Sequence, residues 1–267
     1  VDCRAEQDFY TGHVTGAISI PAAELFARMH ELPMRSEPLI LYIDEISRLP
    51  ARDFLLSKGY TILQEHQWTN TLHQQLEANG QLETGATRHS LWQAAPLIRR
   101  WVEEFMPSVY PSAGKGLDVG CGAGRDMVYL AQHGWNMTGI DHLAGALKRT
   151  QDLATHHQVT VNTVLCNLEG ENQPLTDWPD HSFDLIYGVR YLHRPLFPIF
   201  KRLLKPGGIF LYQTFMEGCE LIGSPRNPHF LLKQGELAQL FKEATILLDE
   251  VDYLEDGRPL SAFIALM

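Results

Sequence analysis

The apolar positions of this chain fall into short runs separated by turn residues. Between residues 116 and 267, near-continuous apolar runs predict strands at 116–120, 136–141, 160–166, 183–189, 207–214, 244–253 and 260–267. The intervening stretches, at about 124–133, 143–156, 194–204 and 234–242, read as helices. Strands alternating with helices predict an α/β fold: a seven-stranded, doubly wound, Rossmann-like sheet with helices on both faces. A further helix is expected from Leu91 to Phe105, apolar at Leu91, Ala94, Ala95, Ile98, Val102 and Phe105.

Residues 1–68 carry a smaller α/β pattern. Ala17-Ile18-Ser19-Ile20 reads as a short strand stopped by Pro21, and Ala22 to Leu32 as a helix. Pro38 to Ile43 reads as a buried strand, Ala51 to Lys58 as a helix closed by Gly59, and Tyr60 to Leu63 as a further strand. Residues 69–87 are rich in Gln, Asn, Thr and Gly with little apolar periodicity, which predicts a linker with at most a helical turn around Leu72–Leu76. The expected organisation is a small domain at 1–68, a linker at 69–87 and a larger domain at 88–267. The chain opens directly on strand-like sequence, as a domain truncated at its start would.

Composition narrows the class. Of 267 residues, 45% are hydrophobic and 20% charged, as in a folded globular chain. Lys plus Arg is 22 against 32 for Asp plus Glu, a net charge of −10 that argues against a large nucleic-acid surface. No apolar run approaches the ~18 residues of a membrane span. The cysteines, Cys3, Cys121, Cys166 and Cys219, are scattered with no CxxC, so neither a disulfide framework nor a zinc site is expected. The histidines, including His66, His73 and the adjacent His156-His157, form no HExxH or Cys/His cluster, and no metal is expected. With no signal peptide pattern, the expected compartment is the cytoplasm.

The sharpest chemical signal is Gly116-Leu117-Asp118-Val119-Gly120-Cys121-Gly122-Ala123-Gly124-Arg125-Asp126. An apolar strand runs into alternating glycines and then a helix, an arrangement that lets a ligand approach backbone at the carboxyl end of a strand. Gly120 and Gly122 fit a dinucleotide G-x-G-x-x-G, but Gly124 comes one residue early and Arg125 fills the expected slot. The P-loop pattern is absent. Asp118 precedes the loop by two residues, where an acid can reach a ligand amine or fix the loop through its N–H groups. Asp141 ends the second strand 23 residues beyond Asp118, the spacing at which this fold places a carboxylate on ribose hydroxyls.

With these residues, and with Phe183-Asp184-Leu185-Ile186 and Leu204-Lys205-Pro206-Gly207-Gly208, the segment 88–267 resembles a class I S-adenosylmethionine (SAM)-dependent methyltransferase. The resemblance implies SAM as cofactor and a seventh strand antiparallel to the rest. It implies that the loop with Asp118, Gly120, Gly122 and Gly124 wraps the methionine part, that Asp141 binds the ribose, that Asn167 and Leu168 lie beside the adenine, and that His142 and Val189 also bind the cofactor. Many family members carry Asp where this chain has Asn167. Trp92, Pro96 and Gly124-Arg125-Asp126 look more narrowly like the tellurite-resistance and thiopurine methyltransferases.

The segment after the fourth strand, Gly188-Val189-Arg190-Tyr191-Leu192-His193-Arg194-Pro195, is where the family places the methyl acceptor. Arg190 or Arg194 can hold an acidic acceptor, and Tyr191 or His193 can act as general base. Arg194 reads equally as solvated charge at a helix start, and Tyr191 as core. After the fifth strand, 214–230 reads as a lid, with Ser224-Pro225 and Asn227-Pro228-His229-Phe230.

Residues 1–68 resemble a rhodanese domain, through Val1-Asp2-Cys3-Arg4, Phe9, the run Gly12-His13-Val14-Thr15-Gly16-Ala17-Ile18-Ser19-Ile20-Pro21, and Leu32-Pro33. A rhodanese carries a persulfide cysteine in the loop after its central strand. Here that loop is Asp44-Glu45-Ile46-Ser47-Arg48-Leu49-Pro50, with two acids and no cysteine. This half is expected to be inactive in sulfur transfer and to serve as a docking or stabilising module for a protein partner. The whole is expected to methylate a small-molecule nucleophile. The alternatives are an RNA or protein methyltransferase, and a SAM-binding scaffold or sensor without turnover.

Overall fold

The computed structural model describes residues 1–87, 89–110, 112–170 and 174–267. Its contacts divide the chain into two units, Val1–Gln93 and Ala94–Met267. The expected boundary, residue 88, lies outside the described residues.

The N-terminal unit contains α1 (Glu6–Thr11), β1 (His13–Val14), β2 (Leu39–Ile43), α2 (Arg48–Ser57), β3 (Ile62–Gln67), α3 (Asn70–Ala78) and β4 (Leu82–Glu83). Strands β2 and β3 pair in parallel, and parallel bridges from Asp2 to Tyr42 and to Ser19 extend the row. Leu39, Leu41 and Ile43 turn to the same buried face, where Ala51 and Leu55 of α2 cover them with Ile18, Ile20 and Leu25. Arg4 and Asp2 form a buried ion pair at 2.7 Å, and the Arg4 guanidinium also donates to the Gly12 carbonyl and lies 3.6 Å from the centre of the Trp68 ring. Such a charge is tolerated in a core because it is paired and hydrogen-bonded.

Two expectations for this unit are corrected. Residues 22–32 form not one helix but short 3₁₀ turns, Ala22–Glu24 and Met29–Glu31. Leu25 and Leu32 are deeply buried and Phe26 is 76% exposed, so the helical spacing of burial is met here by turns. Residues 69–87 are folded rather than a linker. The Thr69 hydroxyl caps α3 by accepting the Leu72 N–H, Leu76 is buried, and β4 pairs antiparallel with β1. One buried leucine on an otherwise polar helix leaves little periodicity to read.

In the C-terminal unit the strands are β5 (Lys115–Val119), β6 (Asn136–Asp141), β7 (Asn162–Leu165), β8 (Phe183–Val189), β9 (Leu204–Phe215), β10 (Thr245–Tyr253) and β11 (Pro259–Leu266). They form one sheet in the order β10-β11-β9-β8-β5-β6-β7, with β11 antiparallel to both neighbours. The helices are α4 (Pro96–Arg100), α5 (Met106–Val109), α6 (Arg125–Gln132), α7 (Ala144–His156), α8 (Phe197–Leu203) and α9 (Glu236–Leu240). The expected helix from Leu91 instead starts at Pro96, widens to a π turn at Trp101–Phe105 and runs into α5. Proline suits the first helical position, and the Ala95 N–H just before it is taken by the Asp126 carboxylate at 2.6 Å.

The chain runs outward from β5 to β7 and then crosses back to β8 on the other side of β5. Pairing of β5 with β8 covers Gly116 to Asp118 and then stops, so the sheet splits at its carboxyl edge. Such a switch point opens a crevice. Behind it, Phe197, Phe200, Phe210, Tyr212, Phe241 and Phe263 build an aromatic core, with the Phe210 and Phe241 rings stacked at 4.1 Å. At the opposite edge, Asp184 at the start of β8 accepts from Lys205 Nζ at 2.8 and 2.9 Å, the Lys115 N–H at 2.8 Å and the Tyr110 hydroxyl at 2.7 Å.

Burial opposes ionisation of Asp184, but these donors outweigh it and hold the carboxyl below its ordinary value of 3.8. A depressed native pKa contributes stability above the unfolded pKa that is lost as pH falls through the native one. Asp184→Asn is expected to cost about 1–3 kcal/mol near neutral pH. In urea unfolding, its difference from wild type should shrink as the pH is taken below 3.8.

Candidate functional site

The glycine loop leaves β5 with Gly120, Gly122 and Gly124 at φ of +76°, +56° and +77°. At Gly124, which opens α6, a Cβ would lie 2.5 Å from Thr150 Cγ2, so this glycine packs loop against α7. At Gly122 a Cβ would meet nothing within 4 Å. Its face is open, and the left-handed backbone there costs any L-residue about 1–2 kcal/mol.

Asp141 fixes this loop. Its Oδ2 accepts the Gly122 N–H at 2.9 Å and its Oδ1 the Leu143 N–H at 2.8 Å. Asp118, the other acid considered for that task, is buried beneath the loop and accepts the Tyr187 hydroxyl at 2.7 Å. Burial and the neighbouring Asp126 push the Asp118 carboxyl well above the usual carboxylate range. Asp126, in the first turn of α6, is likewise raised by burial. Neither acid forms an ion pair among the described residues. A pair of carboxylates in this position favours a cationic group on the ligand side.

Two cavities open at the carboxyl edge. The first, of about 420 Å³, is lined by Gly120, Ile140, Asp141, His142, Asn167 and Leu168. The second, of about 480 Å³, is walled by Leu192, Thr214, Phe215, Pro225, Phe230 and Arg258. Glu169, Arg190 and Tyr191 line both. His142 is exposed beside Asp141, with its Nδ1 at 3.6 Å from Oδ1. Asn167 Oδ1 accepts the Glu169 N–H at 3.0 Å, which shapes the turn after β7.

The segment after β8 divides its expected roles. Arg190 holds φ at +56° while its N–H donates to the Gln213 carbonyl at 2.7 Å. A bulky residue in the left-handed region is uncommon and marks functional segments. Burial and Arg125 lower the Arg190 pKa, but a guanidinium remains a cation at neutral pH. Arg194 is committed elsewhere. It grips Glu236 through two bonds of 2.6 and 2.9 Å and donates to the carbonyls of His229 and Leu231. It thereby ties down the loop that supplies Phe230, as the Arg258 guanidinium does by donating to the Ser224 carbonyl.

Tyr191 packs where a side chain on Gly120 would clash, 3.2 Å from the Cβ that glycine lacks. Among the described residues its buried hydroxyl has no hydrogen-bond partner. Burial and the nearby Glu169 and Asp141 push the phenol up, which disfavours a phenolate there near neutral pH. His193 lines neither cavity, and its carbonyl accepts the Leu196 N–H. Asp118, Gly122, Gly124 and Val189 also lie outside both linings and act from behind or beside the loop. Glu169, Asp126 and Arg258 were not assigned from sequence. Glu169 follows Asn167-Leu168 directly and Asp126 follows the loop, so both sat beside a signal. Arg258 lies in the turn before β11, where no motif marks it.

Residues 117–208 match the methyltransferase domain family model. This region is a class I SAM-dependent methyltransferase domain, and SAM is its cofactor. Over 99% of its length the chain is 22% identical to uncharacterized protein UNK4.09 of Schizosaccharomyces pombe, covering 92% of that protein. It is 26% identical to the S-adenosyl-L-methionine-dependent Diels-Alderase iccD of Talaromyces variabilis, over 49% of this chain and 49% of that one. A solved structure described for conversion of a disulfide bond into a thioacetal group in echinomycin biosynthesis shares the fold, with a TM-score of 0.51 and 17% identity, covering 65% of this chain and 82% of that chain.

The methyltransferase domain fits the cofactor on its own geometry: an open Gly122 face, a loop fixed from the end of β6, and two carboxylates, Asp118 and Asp126, beside that loop. Gly122→Val is expected to abolish S-adenosylhomocysteine binding in calorimetry, and Gly122→Ala to weaken it, with the sheet intact by circular dichroism. Undiminished binding by the valine variant would place the cofactor elsewhere.

Proposed function

We propose that the chain moves the sulfonium methyl of SAM to a small nucleophilic acceptor seated in the 480 Å³ cavity. The observation that carries this reading is the shared lining: Glu169, Arg190 and Tyr191 border both cavities, so an acceptor in one lies next to a cofactor in the other. In this reading Gly120 and the loop border the methionine part, with Asp118 and Asp126 facing its ammonium. Asp141 and His142 serve the ribose, and Asn167 and Leu168 the adenine. The cofactor supplies an electrophilic methyl, and the protein supplies orientation and exclusion of water. The volume is that of a small-molecule pocket. Together with the net charge of −10 it disfavours RNA, and the likeness to the tellurite-resistance and thiopurine group supports a small acceptor. Turnover separates this reading from a SAM-binding scaffold.

The N-terminal unit is read as a rhodanese-like module without sulfur transfer. In its loop, Asp44 Oδ1 accepts the Ser47 N–H at 2.7 Å and the Ser47 hydroxyl at 2.8 Å, so an anion of the chain itself already occupies the cradle. The Cys3 thiol is buried and pushed up to about 12 by that burial. Both features support a docking or stabilising role. Among the described residues no helix is long and apolar enough to cross a membrane. The free cysteines support a reducing compartment such as the cytoplasm.

Calorimetric titration with S-adenosylhomocysteine tests the cofactor half of this proposal. Asp141→Ala is expected to weaken binding by about 1–3 kcal/mol, the scale of hydrogen bonds to a charged group. Equal affinity would remove Asp141 from the ribose site. Incubation with thiosulfate and cyanide is expected to give no thiocyanate above background, and its formation would restore the sulfurtransferase reading.

A further inference from the structure

The amino edge of the seven-stranded sheet, opposite the glycine loop, holds a further cavity of about 320 Å³. Its floor is made by the first residues of adjacent strands, Lys115 of β5, Asn136 of β6 and Asn162 of β7, together with Thr138. The parallel register sets Lys115 beside Asn136 and Thr138 beside Asn162, so these residues share one face of the sheet. Among the described residues their side chains make no hydrogen bond or ion pair. The facing wall is Trp178, tilted against Phe183 with ring centres 5.4 Å apart, and joined by Pro179 and Ser182. Strand starts are polar wherever a sheet meets water, but this wall is a built feature. Arg202 of α8 donates to the carbonyls of Leu175 at 2.7 Å and Trp178 at 2.8 Å and pairs with Asp180. His181, at φ +57°, has its Nδ1 2.8 Å from the Leu204 carbonyl. The indole is therefore fixed in place before any ligand arrives. The nearby acids are engaged: Asp180 by Arg202, and Asp184 by Lys205, Tyr110 and the Lys115 N–H. Asp177 is exposed and outside the lining. Lys115 is the charged member of that lining.

We propose that this cavity binds a free purine nucleoside monophosphate, with the base against Trp178, its polar edge on the Asn136 and Asn162 carboxamides, and the phosphate on Lys115. A fixed indole offers a stacking surface for a base. A carboxamide presents a donor and an acceptor side by side, which matches the edge of a purine and is left unsatisfied by a plain aromatic acid. An ammonium without an acidic partner suits a phosphate. The volume lies at the small end of ligand pockets, and the lining carries a single cation, so the site suits one nucleotide rather than a strand. The site is one of binding, and no bond is made or broken there. It lies at the other end of the strands from the cofactor cavity and does not depend on the methyltransferase reading.

The test is calorimetric titration of the full chain in saturating S-adenosylhomocysteine, which keeps bases out of the cofactor cavity. The probes are adenosine and guanosine monophosphates, the free nucleosides, and phenyl phosphate. A purine nucleotide is expected to bind one per chain, about fivefold or more tightly than its nucleoside or phenyl phosphate. Trp178→Ala should weaken the nucleotide about tenfold or more. Lys115→Gln should bring the nucleotide down to the affinity of the nucleoside, and Asn162→Ala should weaken the nucleotide but not phenyl phosphate. Both of these residues are exposed, so the fold should survive their loss. S-adenosylhomocysteine affinity should stay within about twofold in all of these variants, as expected of distant sites. Gly122→Val should bind the nucleotide as wild type does. Absence of nucleotide binding to folded protein, displacement of the nucleotide by S-adenosylhomocysteine, phenyl phosphate binding as tightly as the nucleotide, or a phosphorylated trinucleotide binding more tightly would each overturn this inference and leave the methyltransferase reading standing. Nucleotide binding by a wild-type chain that does not bind S-adenosylhomocysteine would support this inference and overturn that reading.

Discussion

The carboxylate of Asp141 is the constraint on which the methyltransferase site depends. One oxygen accepts from Gly122 and the other from Leu143, so the end of β6 locks the loop after β5 and the approach to α7 together. A glycine-rich loop has more backbone freedom to lose than any other sequence. Unrestrained, its N–H groups would point nowhere in particular. A buried carboxylate that takes two of the local N–H groups removes that freedom before any ligand arrives. The same group therefore shapes the site and lines it.

The sheet places this lock where it is useful. Because β5 and β8 pair only as far as Asp118 and Tyr187, the strands on either side of the switch point lead their following segments apart. The β6 and β7 ends line the 420 Å³ cavity, and the segments after β8 and at the end of β9 line the 480 Å³ one. Arg190 and Tyr191 stand at the divide, one presenting charge and the other a ring under Gly120. Arg194 and Arg258 perform a different task from either. Each uses its guanidinium on backbone carbonyls of the 217–231 loop, and so holds the third wall in place. Arginine suits this because its fork of donors satisfies several acceptors at fixed angles.

The N-terminal unit is ordered by contacts of its own. Its core is ordered around a buried Arg4–Asp2 pair and the leucine-rich face of β2. In the loop after β2, the Asp44 carboxylate accepts the Ser47 N–H and hydroxyl. A turn that satisfies its N–H groups internally is stable without a ligand, and it is also closed to one.

The strand–loop–helix of 116–132, the acid at the end of β6 and the seven strands were legible in the sequence, from local periodicity, from glycine where backbone must turn left-handed, and from a spacing set by one βαβ unit. The family resemblance added the reversed last strand and pointed to the segment after β8. Only the tertiary structure chose among the residues of that segment. Arg190 and Arg194 are equivalent in sequence, yet the approach of Glu236 and the 229–231 backbone, some forty residues away, engages the second and leaves the first. Tyr191 reads as a candidate base, and burial beside Glu169 and Asp141 pushes its phenol up. Asp118 reads as a ligand residue, and the fold adds the Tyr187 hydroxyl as its donor. Segment 69–87 reads as a linker because a helix needs only one buried leucine when a strand pairing fixes its other end. In each case the deciding neighbour is distant along the chain, and charge, burial and partner are properties of that neighbour rather than of the residue.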